Sequence, residues 1–282
     1  PFKNNKLDVD NYIELIHFHI KNGTNGLVPA GTTGESPTLS HEEHEKVIEL
    51  CINETKGKIP VIAGTGSNST EEAISLTKHA EKAGADAALL VTPYYNKPTQ
   101  EGLYQHYKAI NDSCGIPLII YNIPSRSVID ITVDTMARLF ELKNIVGVKD
   151  ATGILDRVNQ QKEKMGNDFI QLTGEDANVL EFNKRGGIGC ISVTANIAPK
   201  LCSDFQKFSL SKNNNEIKEA ERINDLLQPV HKSLFIESNP SPVKYAAKLL
   251  NLCSDEVRLP LVKVTNSTKE SIKNALVSAK LI

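Results

Sequence analysis

The sequence predicts an α/β chain built as a (β/α)8 TIM barrel with a C-terminal helical extension, and three observations carry that prediction. Short apolar, β-rich runs alternate with longer amphipathic stretches. The amphipathic stretches open on capping residues and close on glycine-bearing turns. Beyond Asn196 the pattern turns helical throughout. Strands that alternate with helix-length segments form βαβ units, and such units assemble a parallel sheet.

In chain order, Pro1 to Leu7 reads as a loop that leads into an amphipathic helix, Val9–Lys21. Strand runs follow at residues 26–31, 60–66, 87–93, 117–124, 145–151, 170–175 and 189–196. That makes seven, and a barrel of eight needs one more, which is expected as a short apolar strand upstream of Pro1 in the full reading frame. The helices between the strands carry start signals: Ser40-His41-Glu42-Glu43 and Ser69-Thr70-Glu71-Glu72 both have the S/T-x-x-E pattern of a capping box. Turns such as Lys82-Ala83-Gly84-Ala85-Asp86 and Arg185-Gly186-Gly187 return the chain to the next strand. From about Pro199 the reading is helical, with breaks at 212–215, 239–242 and around Leu259-Pro260. The expected division is a barrel over residues 1–197 and a helical region over 198–282.

Composition narrows the function. With 282 residues, 40% apolar, 23% charged and a net charge of −2, the chain has no basic excess with which to hold nucleic acid or a membrane surface. A small metabolite is the expected partner. Cys51, Cys114, Cys190, Cys202 and Cys253 are odd in number and include no CxxC pair, which argues against a disulfide framework and a zinc site and fits a reducing cytosol. No apolar run approaches the ~20 residues needed to span a bilayer, and no signal-peptide pattern opens the chain.

In a barrel of this kind the active site lies at the C-terminal ends of the strands. Gly186-Gly187-Ile188-Gly189 precedes its strand and so falls on the structural face, whereas Gly31-Thr32-Thr33-Gly34-Glu35-Ser36 follows its strand and falls on the catalytic face. Lys149 carries the most weight. Period-2 alternation in Ile145-Val146-Gly147-Val148-Lys149 separates Ile145, Gly147 and Lys149 from the two valines. With the valines toward the helices, Lys149 points into the barrel, and Gly147 beneath it leaves space for a ligand. Burial lowers a lysine's pKa and yields the neutral amine that attacks a ketone. A lysine at a strand end ordinarily snorkels to solvent, and its place at the catalytic end of the strand is what outweighs that.

The Gly31–Ser36 loop offers the two threonine hydroxyls of Thr32 and Thr33 and successive N–H groups suited to a carboxylate, although Gly and Thr also populate plain turns. Tyr121-Asn122-Ile123-Pro124-Ser125-Arg126 ends its strand with a phenol that can relay protons and a guanidinium that can grip a second carboxylate; a core tyrosine beside a solvated arginine is the plainer alternative. Thr92-Pro93-Tyr94-Tyr95-Asn96-Lys97-Pro98 supplies two aromatics, which serve equally for packing or a subunit contact. His41 and His44 share a helix face at i, i+3, but Glu42-Glu43 do not complete HExxH, so no metal is expected.

Together these stretches resemble the dihydrodipicolinate synthase family, within the group that includes N-acetylneuraminate lyase and 2-keto-3-deoxygluconate aldolase. The matching segments are 31–36, 91–98, 121–126, 146–153 and 186–196, with Asn239-Pro240-Ser241-Pro242-Val243-Lys244 and Arg258-Leu259-Pro260-Leu261 near the C-terminus, so the likeness runs across essentially the whole chain. The Gly31–Glu35 loop and the lysine are shared by the group; Tyr94-Tyr95 with Pro124-Ser125-Arg126 favours the synthase. The resemblance implies that Lys149 forms an imine with pyruvate, that Thr32 and Thr33 hold the pyruvate carboxylate, and that Thr33, Tyr121 and Tyr95 form a hydroxyl relay, with Tyr95 supplied across a dimer interface. It implies that Arg126 binds the carboxylate of L-aspartate 4-semialdehyde and that the Ile191 backbone lines the pyruvate pocket. It further implies a cytoplasmic homotetramer on the diaminopimelate route to lysine, with no cofactor, and an L-lysine site formed by Ser36, His41, His44, Asn68, Glu72 and Tyr94. The missing first strand and Pro37, where many relatives carry a small residue, depart from the pattern. The rivals are a sister aldolase acting on a sugar acid, which Arg126 disfavours, and a barrel retained only for binding. A phosphate-gripping isomerase is disfavoured by the acidic Thr173-Gly174-Glu175-Asp176.

Overall fold

The computed structural model describes residues 1–282, in two compact units: Pro60–Ile191, and Pro1–Ile59 together with Ser192–Ile282. The chain opens on a hairpin, β1 (Phe2–Lys3) against β2 (Lys6–Leu7), where the sequence reading expected a loop. Asn4 and Asn5 both have positive φ, at 52° and 59°, which is the two-residue turn that suits the twist of a hairpin. Helix α1 (Val9–Lys21) is as predicted and is capped by the Asp8 carboxylate, which accepts from the Asn11 amide.

The run at 26–31 forms no strand and keeps only a single bridge residue, Leu27. Pro29 has no N–H to give a ladder, and Ala30 sits in the left-handed region at φ 55°, which ends any extended run. Helix α2 (His41–Thr55) then starts on a complete capping box, Ser40 and Glu43 each bonding the other's backbone.

The second unit alternates strand and helix: β3 (Ile62–Gly64), α3 (Thr70–Ala83), β4 (Ala87–Val91), α4 (Gln100–Ser113), β5 (Leu118–Asn122), the short α5 (Pro124–Ser127), α6 (Val133–Phe140), β6 (Ile145–Asp150), α7 (Asp156–Met165), β7 (Ile170–Thr173) and α8 (Val179–Lys184). The five strands are parallel and adjacent in chain order, with Val91 opposite Tyr121, Tyr121 opposite Lys149 and Lys149 opposite Leu172. Ser69 caps α3 through the Glu72 amide, but the predicted box is not closed, because the Glu72 carboxylate is bonded by the Ser67 hydroxyl instead. Gly84, at φ 95°, stops that helix in the left-handed turn that glycine adopts most cheaply.

One face of the sheet carries the core. Leu90, Ile120 and Val148 meet Leu103, Tyr107 and Ile110 of α4 and Met136 and Leu139 of α6. Each fully buried aliphatic there contributes roughly 1.5–3 kcal/mol. The predicted run at 189–196 is reduced to a bridge between Cys190 and Thr173. After it the Ser192 hydroxyl accepts from the Ala195 amide and draws 194–196 into a 3₁₀ turn, the local competition by which serine ends a strand.

The rest of the first unit is helical: α9 (Pro199–Ser209), α10 (Asn214–Ser233), α11 (Ser241–Leu249) and α12 (Asn266–Ser278). A second core joins α10, α11 and α12 through Val230, Leu234, Val243, Ala246, Ile272 and Leu276. The break around Leu259-Pro260 is wider than expected and covers residues 250–265. That segment is used for anchoring: Glu256 accepts from the Asn4 and Asn5 amides of the hairpin, and Arg258 binds Glu43 with two nitrogens. No helix is long and apolar enough to cross a membrane.

Candidate active site

Alternation along β6 decides where the lysine goes. Val148 is buried against the helix side, so Lys149 projects from the opposite face, next to Tyr121 of β5. Lys149 is only 8% exposed, and its Nζ lies 3.9 Å from the centroid of the Tyr121 ring. Burial pushes its pKa from 10.5 down to about 8; Cys190 and Asp176 pull the other way, and Arg126 adds to the lowering. At pH 7 roughly one molecule in ten then carries the free amine, against roughly one in three thousand for an ordinary lysine.

The residues that follow Tyr121 and Lys149 hold both strand ends from behind. Asp150, on the face opposite Lys149, accepts from Arg157 Nε at 3.1 Å and from the Thr152 amide and hydroxyl at 2.9 and 2.6 Å. Asn122 donates to Asp130 at 2.7 Å and accepts from the Ile131 amide at 3.3 Å. Arg157 joins the two, bonding Asp130 and the Ile131 carbonyl. A buried arginine shared by two strand ends fixes the register that sets Tyr121 against Lys149.

Two glycines shape the surroundings of Lys149. Gly147 does not leave space for a ligand: a Cβ there would fall 2.2 Å from the Ile170 carbonyl oxygen, so glycine is required by the close approach of β7. The room for the lysine comes from Gly174, where a Cβ would sit 3.0 Å from Lys149 Cε and 2.8 Å from Ala151 Cβ.

In the other unit, the loop carrying Thr32 and Thr33 is tied down twice. Thr33 Oγ1 accepts from Asn239 Nδ2 at 2.9 Å. Glu35, at φ 52° and 1% exposed, is ion-paired with Lys244 and accepts from the Arg258 amide at 3.0 Å. The Glu35 and Ser36 amides close turns on the Thr32 and Gly31 carbonyls. The acid of this loop is therefore an anchor and not a reacting group.

The remaining predicted residues fall in both units. Tyr94, Glu72 and Asn68 come together: burial and then the Glu72 charge raise the Tyr94 pKa, and Asn96 donates to the Asn68 carbonyl at 2.9 Å. Ser36, exposed His41 and buried His44 lie in the first unit. Arg126 is exposed, Ile191 half-buried, and Tyr95 89% exposed at φ 74°.

A sequence model of the dihydrodipicolinate synthetase family matches residues 1–279. The chain belongs to that family. It is 79% identical over all of its 282 residues to the 4-hydroxy-tetrahydrodipicolinate synthase of Pelagibacter ubique, covering 96% of that protein. Among solved structures it is similar to dihydrodipicolinate synthase from Acinetobacter baumannii complexed with pyruvate, at 47% identity and a TM-score of 0.96, with 100% of this chain and 96% of that one covered. It is also similar to the enzyme from Cyanidioschyzon merolae with lysine bound, at 36% identity and the same TM-score and coverage. The predicted (β/α)8 barrel stands with these relatives.

The supporting contacts of Asn239, Lys244, Glu35, Arg157 and Gly174 are not among those the sequence predicts. Gly174 had a usable signal, since a glycine just past a strand often marks a close approach. Arg157 had none, because its partners lie 7 and 27 residues away.

Proposed function

We propose that the chain is a 4-hydroxy-tetrahydrodipicolinate synthase, a lyase that joins pyruvate to L-aspartate 4-semialdehyde through a Schiff base on Lys149. The observation that carries this is a buried lysine with no carboxylate bonded to it, lying over the ring of Tyr121 at the end of a parallel strand. Its neutral amine adds to the keto carbon, and water leaves to give the imine. Loss of a methyl proton forms the enamine, whose carbon adds to the aldehyde. The substrate's own amine then attacks the imine carbon, closing the ring and releasing Lys149.

Each proton step needs a nearby donor or acceptor, and the roles follow the family. Thr32 and Thr33 hold the pyruvate carboxylate with the Ile191 backbone. Thr33, Tyr121 and Tyr95 pass protons, and Arg126 takes the carboxylate of the semialdehyde. The exposure of Tyr95 supports a second subunit covering it, in a cytoplasmic homotetramer of paired dimers. The cluster of Asn68, Glu72 and Tyr94, together with Ser36, His41 and His44, supports feedback inhibition by L-lysine, as does the relative with lysine bound.

Borohydride reduction with pyruvate, followed by peptide mapping, should add the reduced pyruvyl mass to Lys149. Coupled assays should show turnover with aspartate semialdehyde and none with N-acetylneuraminate or ketodeoxygluconate. An unmodified Lys149 removes the mechanism, and full activity at millimolar lysine removes the inhibitor site.

A further inference from the structure

A threonine hydroxyl has one proton to give and two lone pairs with which to accept, so what it accepts on one side governs where its proton points. Asn239 Nδ2 reaches Thr33 Oγ1 at 2.9 Å. Asn239 is 5% exposed and stands just before α11. The same loop is fixed a second time through Glu35, gripped by Lys244 of α11 and by the Arg258 amide. With the loop backbone already held at Glu35, the amide on Thr33 is not needed to keep the loop in place. What it does set is the orientation of one hydroxyl.

We propose that Asn239 is a positioning residue of the reaction: by donating to Thr33 Oγ1 it turns that hydroxyl's proton away from the helical region and fixes the direction in which Thr33 passes it. This rests on Thr33 acting in the relay described above. It makes a residue of the loop between α10 and α11 part of the proton path, although Asn239 itself touches no substrate.

The test separates a directed hydrogen bond from simple packing. Asn239→Asp keeps the shape but can only accept at neutral pH, so it captures the Thr33 proton and reverses the bond. Asn239→Ala leaves the hydroxyl free to rotate. At saturating substrates, Asn239→Ala should lower kcat roughly ten-fold and Asn239→Asp roughly a hundred-fold, in the range that loss of one proton-transfer group commonly produces. Both should still be trapped on Lys149 by borohydride with pyruvate, and both should melt near the wild-type temperature. Thr33→Val/Asn239→Ala should be no slower than Thr33→Val, since the amide then has no hydroxyl to orient. A kcat for Asn239→Asp equal to or above that of Asn239→Ala overturns the proposal, because packing alone favours the isostere. Should Asn239→Ala fail to fold, a wild-type kcat in Asn239→Asp overturns it as well. Wild-type kcat in Thr33→Val would remove Thr33 from the relay and this proposal with it, whereas a slow Thr33→Val beside an unimpaired Asn239→Ala overturns this proposal alone.

Discussion

Lys149 and Lys244 are equally buried, each 8% exposed, and the chain uses them in opposite ways. Lys244 is ion-paired with Glu35, donates to the Glu256 carbonyl at 3.0 Å and lies 4.3 Å from the Phe2 ring centroid. Lys149 has a ring at a similar distance, 3.9 Å from Tyr121, but no bonded carboxylate, and burial takes its pKa to about 8. Desolvation sets the same problem for both ammonium groups, and the partner decides the outcome. The nearest acid in sequence, Asp150, could have neutralised Lys149. The period of the strand turns it to the far face, where Arg157 takes it. Reactivity here comes from a carboxylate withheld and not from burial alone.

The largest effect should come from breaking the satisfied pair. Glu35→Ala leaves the Lys244 ammonium buried without its counter-charge, which should cost about 3–5 kcal/mol in a denaturant melt. Replacing both residues by methionine should recover much of that loss, since the desolvation cost of both charges is removed with them. A single-variant loss under about 1 kcal/mol, the value of an exposed pair, would erase the contrast between the two lysines.

Removing the unsatisfied lysine should act with the opposite sign. The shift from 10.5 to about 8 makes the folded state pay up to about 3 kcal/mol for keeping Lys149 protonated below pH 8. Between pH 8 and 10.5 the folded protein loses this proton while the unfolded chain retains it, so wild-type stability gains with rising pH through that window. Lys149→Met should therefore be more stable than wild type at pH 7, inactive, and without advantage by pH 10.5. Melts of the two proteins at pH 7 and 10.5 check this, and a Lys149→Met variant less stable at pH 7 would contradict it.

The two lysines were also unequally legible in the sequence. Lys149 announced itself, because a strand period, a terminal position and a parallel architecture are all local patterns, and the same patterns gave α1, the β4 to β7 series and the start of α2. Lys244 did not, since its partner Glu35 is 209 residues away and an acid in a glycine loop reads as surface. Asn239 and Arg258 escaped for the same reason. Three of the places where local chemistry misled share one cause. Gly147 was read as space for a ligand when the backbone of β7 fills it, Pro29 and Ala30 break what looked like a strand, and Asn4-Asn5 make a hairpin of what looked like a loop. In each case the decisive term was a backbone approach or a left-handed φ, which composition and hydrophobic period do not encode.

The smallest effect is the most specific to the lysine's surroundings. Imine formation needs the neutral amine, so its rate with pyruvate should rise with pH to a midpoint at about 8 and level off above it. The Arg126 charge disfavours the ammonium, whereas the Asp176 charge favours it. Arg126→Ala should then move the midpoint up and Asp176→Asn should move it down, each by less than the ten-fold change in free amine that one pKa unit represents. Single-turnover trapping from pH 6 to 10 reads both, independently of the role proposed for Arg126 toward the second substrate, because only pyruvate is present. Displacements of opposite sign mean that the charges around the pocket tune an amine whose pKa burial has already set. Two displacements of the same sign, or none, would mean that the lowered pKa has another origin and that Lys149 differs from Lys244 by more than the absence of a partner.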